Sequence, residues 1–264
     1  MYLSVIIAAY QEERRIEKTL RRLERYFSNV SYSYEIIVVN DGSTDRTAAI
    51  VENMQSKIYH LRLLNYQKNM GKGYAVKCGM AAADGKLCLF MDADNSVKIE
   101  EIEKFIPEVE AGNDVVIGSI ELQKKDVHEH NGKHRRFLGS LSKKLIQVIA
   151  TPNVRDTQRG FKLFTKEAAE IIFPKLTIHR FGFDIELLVI AEANGFKIKE
   201  MPVAFDNPAG STVTFSSYFT TFIELMNIKF KKVMGLYSNE GGIVPHNRRS
   251  YTPIKYDTET LHNT

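Results

Sequence analysis

The sequence lacks an apolar run of the roughly 20 residues that a helix needs to cross a bilayer. Any membrane contact is therefore expected to be peripheral. Only two cysteines occur, Cys78 and Cys88, in a predicted helix and a predicted strand. No secretory signal precedes the first apolar segment, so we expect reduced core thiols in a cytoplasmic protein.

A strong charge imbalance is also missing. The 36 basic and 32 acidic residues leave a net charge of only +4 over 264 residues. This balance does not indicate a nucleic-acid-binding protein. The sequence contains no internal repeat and no low-complexity tract, and its length suffices for one large domain with a substantial core.

The sequence does contain a regular alternation of apolar strands and amphipathic helices. Continuous apolar runs at residues 2–9, 34–39 and 87–91 are typical of parallel strands that are covered on both faces. Further strands are predicted at 157–164 and 196–205. The order predicts an α/β fold with a mostly parallel, doubly wound sheet flanked by helices. Amphipathic helices are also predicted at about 136–150 and 214–236, and the polar residues 238–264 are expected to form a flexible tail.

Acidic residues follow two of the predicted strands. Asp92 and Asp94 come directly after the run at 87–91, and Asp41 follows the run at 34–39. In open α/β sheets, ligands bind at the carboxyl ends of the strands, and paired carboxylates there suit a divalent cation that also contacts phosphates. Taken alone, this D-x-D spacing is equally consistent with solvated aspartates in a turn.

Four separated segments together resemble one family. They are residues 4–13 (SVIIAAYQEE), 35–47 (EIIVVNDGSTDRT), 69–96 (NMGKGYAVKCGMAAADGKLCLFMDADNS) and 156–170 (DTQRGFKLFTKEAAE), followed by 181–191 (FGFDIELLVIA). The chain resembles the inverting family-2 glycosyltransferases of GT-A fold. Within them it resembles the polyprenyl-phosphate sugar transferases, such as dolichyl-phosphate glucosyltransferases and dolichyl-phosphate mannose synthases. The resemblance covers residues from about 4 to about 236 and implies one catalytic domain at 1–237.

On the donor side, the resemblance implies a nucleotide-sugar site that uses Mg²⁺ or Mn²⁺ as a Lewis acid for the departing diphosphate. Asp94 would ligate the metal, and Asp92 would contact the metal or the ribose. Ser96 lies where some relatives place another oxygen ligand. Asp41 would accept a hydrogen bond from the base. The implied nucleotide-sugar-binding residues are Ala8, Ala9, Tyr10, Glu12, Asp41, Lys72, Asp92 and Ala93.

Two glycines flank Lys72 at a predicted helix start. Gly71 and Gly73 would permit close backbone approach to a phosphate, whose charge Lys72 would counter. Ordinary turn chemistry is the alternative for the glycines, and a half-buried packing role is the alternative for Tyr10.

On the acceptor side, the candidate catalytic carboxylates are Asp156, which we favour, and Asp184. Inversion requires an acceptor oxygen opposite the diphosphate. A hydroxyl acceptor needs a general base, whereas a phosphate monoester is already ionised and mainly needs placement. Asp184 begins a predicted helix, where capping is the alternative role, and Glu186 is given a supporting role.

Cationic side chains are implied for binding the acceptor phosphate, because guanidinium groups bind phosphate through two hydrogen bonds. The implied acceptor-binding residues are Arg135, Arg136, Gln158 and Arg159. The chain departs from many relatives in carrying Ile120, where they have an arginine. The contact is then lost or is supplied by Lys124, Lys125 or Lys133. A solvated run of charges is the alternative for this segment.

The resemblance thus implies a glycosyltransferase that moves glucose from UDP-glucose to a polyprenyl phosphate at the cytoplasmic membrane face. A UDP-sugar is favoured over a GDP-sugar because residues 156–170 and 181–191 look closer to the glucosyltransferase branch. The alternatives are a GDP-mannose-dependent mannosyltransferase, transfer to a glycan or protein hydroxyl, and a non-catalytic scaffold. A sugar-phosphate nucleotidyltransferase would carry a Gly-rich loop after the first strand, and residues 8–12 contain no glycine.

The two amphipathic helices combine apolar faces with lysines, as helices at a membrane surface do. Packing on the domain is the alternative, and so is an interface in a homo-oligomer, because any surface helix is amphipathic.

Overall fold

The structure is a computed structural model that describes residues 1–120, 122, 154, 156–157, 159–180, 182–206 and 215–238. Several predictions fall outside the described residues. They concern the helix at 136–150, the tail beyond residue 238, and the side chains of Lys124, Lys125, Lys133, Arg135, Arg136 and Gln158.

The described residues form seven strands and seven helices. The strands are β1 (Leu3–Ala9), β2 (Tyr34–Asp41), β3 (Leu61–Tyr66), β4 (Leu87–Asp92), β5 (Val115–Ser119), β6 (Phe161–Thr165) and β7 (Ile198–Pro202). The helices are α1 (Ile16–Phe27), α2 (Thr47–Gln55), α3 (Lys72–Ala81), α4 (Ile102–Glu110), α5 (Lys166–Ile172), α6 (Phe183–Ala193) and α7 (Phe215–Val233).

All seven strands belong to one sheet, in the order β3-β2-β1-β4-β6-β5-β7. The pairs β1–β2, β1–β4, β2–β3 and β5–β7 are parallel. Strand β6 is antiparallel to both of its neighbours, β4 and β5. The predicted α/β fold with a mostly parallel sheet is confirmed. The reversed strand was not predicted, and it brings the start of β6 to the edge where β4 ends.

Helices cover both faces of the sheet, which explains why the strands read as continuous apolar runs. Ile6 of β1 and Phe90 of β4 belong to the buried cluster under α3, α5 and α6. Their neighbours along the strands, such as Ile7 and Leu89, belong to the cluster under α1, α2 and α4. Successive side chains point to opposite faces of a strand, so both faces are apolar here.

Two strands are shorter than the sequence predicts, and one helix was not predicted. The strand expected to start at 157 begins at Phe161, and the strand expected at 196–205 is Ile198–Pro202. The residues before Phe161 instead form a loop beside the end of β4, where the carbonyl of Gly160 accepts a hydrogen bond from Asp92. Helix α5 has only seven residues, so its periodicity is too short to identify.

Helix α7 agrees with the amphipathic helix expected at 214–236. Leu225 and Ile228 are buried and belong to the core cluster beside α6. Among the residues that the structure describes, no helix has the length and apolar character needed to span a membrane.

Candidate active site

Four strands meet at one edge of the sheet, and two of them end there in an aspartate. Asp41 and Asp92 are the last residues of β2 and β4. Ala8 of β1 lies beside Asp92 in the strand register, and Gly160 at the start of β6 accepts a hydrogen bond from the Asp92 amide at 2.9 Å. We call this edge the candidate active site.

Lys72 forms an ion pair with Asp92. Its Nζ lies 2.7 Å from Asp92 Oδ1 and 5.3 Å from the centre of the Phe90 ring. Burial by itself raises the pKa of Asp92, but the charges of Lys72 and Lys162 hold that pKa below its usual value. Burial likewise lowers the pKa of Lys72, and Asp92 and Asp184 more than reverse this effect. Both groups are therefore ionised near neutral pH.

The Asp92 carboxylate leaves no room for a side chain at residue 160. A Cβ atom built on Gly160 would collide with the carboxylate carbon and both oxygens of Asp92. This contact gives a physical reason for glycine in the DTQRG segment: the loop before β6 must approach the acid at the end of β4.

The turn after β4 is rich in oxygen atoms. Asp94 Oδ1 accepts a hydrogen bond from the Ser96 amide at 3.0 Å. Asn95 has a left-handed backbone with φ of 58°, and its Oδ1 is buried without a hydrogen-bond partner among the described residues. Hard cations take such oxygen ligands. Ser96 is buried, and its backbone orients Asp94; ligation by Ser96 stays a prediction.

Asp92 and Asp94 have the chemistry to hold a divalent cation together with a phosphate-bearing ligand. Among the described residues, no group of three or more His, Cys, Asp or Glu side chains is arranged as a metal site. Mg²⁺ is commonly held by only one or two carboxylates together with substrate phosphates and water. Asp92 and Asp94 match that ligand set.

Arg15 was not predicted as part of this site. Its guanidinium binds Glu12 through two hydrogen bonds of 2.6 and 2.7 Å, and its Nη1 lies 3.9 Å from Asp94 Oδ2. Burial raises the pKa of Glu12, although Arg15 opposes this shift. Glu12 and Arg15 together place both signs of charge beside Asp94.

The other donor-side residues divide into exposed and buried ones. Tyr10 is 47% exposed, so part of its side chain is accessible at the edge of the site; its expected contact with the nucleotide sugar stays a prediction. Ala9 and Ala93 are buried in the core, which leaves only their backbone atoms for ligand contact. The carbonyl of Ala93 already accepts a hydrogen bond from Thr19 at 2.7 Å.

Asp41 fixes the loop that leads to Lys72. Its two carboxylate oxygens accept hydrogen bonds from the amides of Met70 and Gly71, each at 2.8 Å. The side chain is buried. Its expected contact with the nucleotide base stays a prediction.

The start of α3 is capped by another part of the chain. The carbonyl of His179 accepts hydrogen bonds from the amides of Gly73 at 2.8 Å and Tyr74 at 3.3 Å. A Cβ atom on Gly71 would collide with the same carbonyl. The glycines do allow close backbone approach, but in this structure the approaching group is a carbonyl. Contact of Lys72 with a phosphate at this helix start stays a prediction.

Glu186 supports the capping loop. Its carboxylate accepts hydrogen bonds from the amides of Thr177 and Ile178 at 2.9 and 2.8 Å, and from the Tyr237 hydroxyl at 2.8 Å. The side chain is fully buried. Its role is therefore to hold residues 177–179 against α3.

Asp184 is paired with a buried lysine that was not predicted. Lys162 Nζ lies 2.5 Å from Asp184 Oδ1 and also donates to the carbonyl of Arg159. Burial raises the pKa of Asp184, and the charges of Lys162 and Lys72 oppose that rise. Asp184 and Lys162 thus add a second ion pair to the one between Asp92 and Lys72. A sequence signal existed, since Lys162 interrupts an apolar run formed by Phe161, Leu163 and Phe164.

Asp156 orients Arg159. Its Oδ2 accepts hydrogen bonds from Arg159 Nε at 3.1 Å and from the Ile120 amide at 3.3 Å. The guanidinium carbon of Arg159 lies 4.8 Å from the centre of the Phe205 ring. Asp156 is buried, whereas the Arg159 side chain is 25% exposed. A planar cation is thus fixed beside Gly160.

Comparisons with known proteins identify related sequences. A family model described as glycosyl transferase family 2 matches residues 4–173. A Trichomonas vaginalis protein named dolichyl-phosphate beta-glucosyltransferase is 39% identical over 248 residues, which cover 90% of this chain and 74% of the relative. The human protein of that name is 32% identical over 252 residues, covering 90% of this chain and 78% of the relative.

Solved structures share the fold. Glucosyl-3-phosphoglycerate synthase from Mycobacterium tuberculosis, in a complex with Mn²⁺, UDP-glucose and phosphoglyceric acid, superposes with a TM-score of 0.61 at 17% identity. The match covers 87% of this chain and 80% of that one. At this identity the likeness shows the fold alone, which is the GT-A-like architecture that the sequence predicts.

Proposed function

The chain belongs to glycosyl transferase family 2, and from this premise we propose that it transfers glucose from UDP-glucose to dolichyl phosphate or another polyprenyl phosphate. The relatives named dolichyl-phosphate beta-glucosyltransferase, whose matches cover about 90% of the chain, support the sugar and the acceptor. The observation that carries the proposal is that both candidate catalytic carboxylates are paired with cations beside the D-x-D acids.

The donor site is assigned to the edge formed by β1, β2 and β4. Asp92 and Asp94 would hold Mg²⁺ or Mn²⁺, which would neutralise charge on the departing diphosphate. Lys72 supplies a further positive charge next to Asp92. The solved relative with Mn²⁺ and UDP-glucose supports this combination of cofactor and donor. Asp41 and the exposed ring of Tyr10 are the proposed contacts for the base.

The pairing of the carboxylates favours an acceptor that is already ionised. A general base must be free to take a proton from the acceptor hydroxyl. Asp156 is held by the guanidinium of Arg159, and Asp184 is held by the ammonium of Lys162. Each carboxylate therefore already has a hydrogen-bonded cation as its partner. A phosphate monoester needs no base, so the arrangement suits phosphate better than a hydroxyl.

Arg159 is the proposed contact for the acceptor phosphate. Asp156 and the Phe205 ring fix its guanidinium plane, and a fixed guanidinium offers two parallel hydrogen bonds to phosphate oxygens. Asp156 then acts as an orienting carboxylate, which is one of the two roles expected for it. Contacts from Arg135, Arg136 and Gln158 remain part of the proposal.

Helix α7 provides the proposed contact with a lipid surface. Its exposed apolar side chains recur at helical spacing on the side away from Leu225 and Ile228. They are Phe222, Ile223, Met226, Phe230 and Val233. Phe230 is 61% exposed and Val233 is 76% exposed. Since Lys229 lies among them, the surface combines apolar area with positive charge, as interfacial helices do.

A turnover screen tests the reaction. Purified protein is assayed with UDP-glucose, UDP-N-acetylglucosamine or GDP-mannose, with and without a short polyprenyl phosphate, in Mg²⁺ or Mn²⁺. We expect UDP release and a glucosyl lipid only when UDP-glucose and the lipid phosphate are both present. Asp94→Asn should abolish turnover, whereas Asp84→Asn, at the opposite edge of the sheet, should retain it.

Other results would overturn parts of the assignment. Turnover with GDP-mannose alone would identify a mannosyltransferase, and lipid-independent transfer to a hydroxyl acceptor would exclude the phosphate acceptor. Full activity of Asp94→Asn would exclude the D-x-D acids as the metal site.

Vesicle co-sedimentation tests the lipid contact. Vesicles with anionic headgroups should bind the wild-type protein. Phe230→Glu combined with Val233→Glu should reduce binding at least about tenfold, because both apolar side chains are replaced by acids. The control is Tyr59→Glu, which changes a residue that is 91% exposed on another surface. Equal binding of all three proteins would exclude α7 as the membrane surface.

A further inference from the structure

We propose that Lys72 is an internal counter-ion of Asp92 which a divalent cation must displace, so that the cation binds well only together with the donor diphosphate. The inference rests on the proposed assignment of Asp92 and Asp94 to the metal. It concerns the order in which the site fills, which the proposed reaction leaves open.

The first observation is direct competition for Asp92. Lys72 Nζ lies 2.7 Å from Asp92 Oδ1, which is the distance of a strong, charge-assisted hydrogen bond. The ammonium therefore occupies the carboxylate oxygen that a cation would share. A cation that binds there must repel or move a positive charge already in contact with its ligand.

The second observation is that the backbone beside Lys72 is fixed on both sides. Asp41 holds the amide of Gly71 at 2.8 Å, and the His179 carbonyl holds the amide of Gly73 at 2.8 Å. The lysine therefore cannot leave Asp92 by a shift of the helix. Its ammonium can move only by rotation of its own side chain, which keeps it within reach of the site.

The third observation is a second cation near the other D-x-D acid. Arg15 Nη1 lies 3.9 Å from Asp94 Oδ2 while the same guanidinium binds Glu12. Both acids therefore face a basic side chain. Lys162 adds a further buried positive charge that acts on Asp92. With these three basic groups, the carboxylates of the site are largely neutralised before any ligand arrives.

Binding of the donor diphosphate removes the competition between Lys72 and the cation for Asp92. A diphosphate brings several negative charges, so the ammonium of Lys72 gains a new partner when the donor binds. Asp92 is then released to share its oxygen with the cation. Because each ligand favours the state that the other needs, the two are expected to bind with positive coupling.

Manganese binding without turnover tests the inference. Free Mn²⁺ is measured by electron paramagnetic resonance during titration of the protein, with and without UDP. We expect wild-type protein to bind Mn²⁺ weakly alone and at least about tenfold more tightly with UDP. Lys72→Met should bind Mn²⁺ alone at least about tenfold more tightly than the wild type, because a like charge is removed from the ligand.

The same variant should lose most of the coupling. UDP binds Lys72→Met more weakly in Mn²⁺, because the lysine no longer meets the diphosphate. Lys72→Arg keeps the charge and should bind Mn²⁺ alone as weakly as the wild type. Lys86→Met is the control, since it removes the same charge from an exposed residue at the opposite end of β4; it should behave as the wild type.

Two outcomes separate failure of this inference from failure of the proposed function. If Lys72→Met binds Mn²⁺ alone no better than the wild type, while Asp94→Asn abolishes Mn²⁺ binding with UDP, the counter-ion role is wrong and the metal site stands. If Asp94→Asn and Asp92→Asn both bind Mn²⁺ and UDP as the wild type does, the metal assignment itself fails.

Discussion

Lys162 and Asp184 form an ion pair of 2.5 Å between β6 and α6, where the lysine is fully buried and the aspartate side chain is 5% exposed. Removing two charges from water is costly, and only their mutual attraction and further hydrogen bonds offset that cost. The pair therefore fixes how α6 packs against the sheet, and it holds Asp184 next to the charges of the candidate active site.

Replacing the lysine should strongly destabilise the fold. Lys162→Met leaves Asp184 buried without its cation, and we expect a loss of about 3–5 kcal/mol in the free energy of unfolding at pH 7. Denaturant titration measures this change. The loss should shrink as the pH is lowered, because an unpaired buried carboxylate relieves its charge by taking up a proton.

The double variant Lys162→Met with Asp184→Asn provides the control. It removes both charges, so it should be more stable than Lys162→Met alone. A double variant that is less stable by the full sum of the two single losses would show that the two side chains do not interact.

A methyl group at residue 160 should impair catalysis more than stability. In Gly160→Ala, the new Cβ would collide with the Asp92 carboxylate, so the acid or the loop must shift. A displacement of about 1 Å in a catalytic site can lower kcat/KM about 100-fold. Steady-state kinetics measure this effect. Gly112→Ala is the comparison, since nothing lies within 4 Å of a Cβ there and only its φ of 95° is strained; its kcat/KM should not change.

The sequence predicted the strands β1, β2 and β4 that carry the candidate active site, because parallel strands covered on both faces must be apolar throughout. Asp41 and Asp92 could be located at one edge because the carboxyl ends of parallel strands lie at the same edge of a sheet. The direction of β6 could not be predicted, since the apolar pattern of a strand is the same in either direction. The contact between Gly160 and Asp92 depends on that direction and was missed with it.

The ion pairs between acidic and basic side chains could not be predicted from the sequence either. The partners of Lys162 and Lys72 are 22 and 20 residues away along the chain, and nothing local to either lysine identifies them. Asp92 was assigned to the metal or the donor, and Asp156 and Asp184 were assigned as base or orienting carboxylates. The structure in addition pairs each of these acids with a basic side chain of the protein. Those pairs exist because buried carboxylates need compensating charge, which is a property of the folded interior.

Glu35 lies outside the candidate active site and should make the free energy of unfolding depend on pH. Burial raises the pKa of this carboxylate, but hydrogen bonds from Ser4, the Asp84 amide and Arg62 more than reverse the effect, so the folded pKa is below the usual value. The ionised form therefore stabilises the fold above the unfolded pKa, and this contribution is lost as the pH falls below about 4.

Glu35→Gln tests this contribution. We expect a loss of about 1–3 kcal/mol at pH 7, because the Arg62 guanidinium and the Ser4 hydroxyl lose a charged acceptor. The difference from the wild type, measured by urea unfolding, should narrow towards pH 3. A difference that is constant from pH 7 to pH 3 would contradict the assigned charge effect.

The two cysteines should differ in reactivity. Both are free thiols; Cys88 is buried and Cys78 is partly exposed. Burial raises the pKa of Cys88 to about 12, so almost none of it is thiolate, the reactive form, at neutral pH. Iodoacetamide followed by mass spectrometry should modify Cys78 in the native protein and both residues after unfolding. Rapid native labelling of Cys88 would contradict its position in the core.

The antiparallel pairing of β5 with β6 also affects which segment of this enzyme can vary in length and sequence. The long segment between residues 120 and 160 begins and ends on two neighbouring strands, so its ends are held together by the sheet whatever its length. Doubling the length of such a connection costs only about 0.6 kcal/mol in closure entropy. Exchange of this segment between related enzymes is therefore expected to leave the sheet and the carboxyl ends of β1, β2 and β4 unchanged.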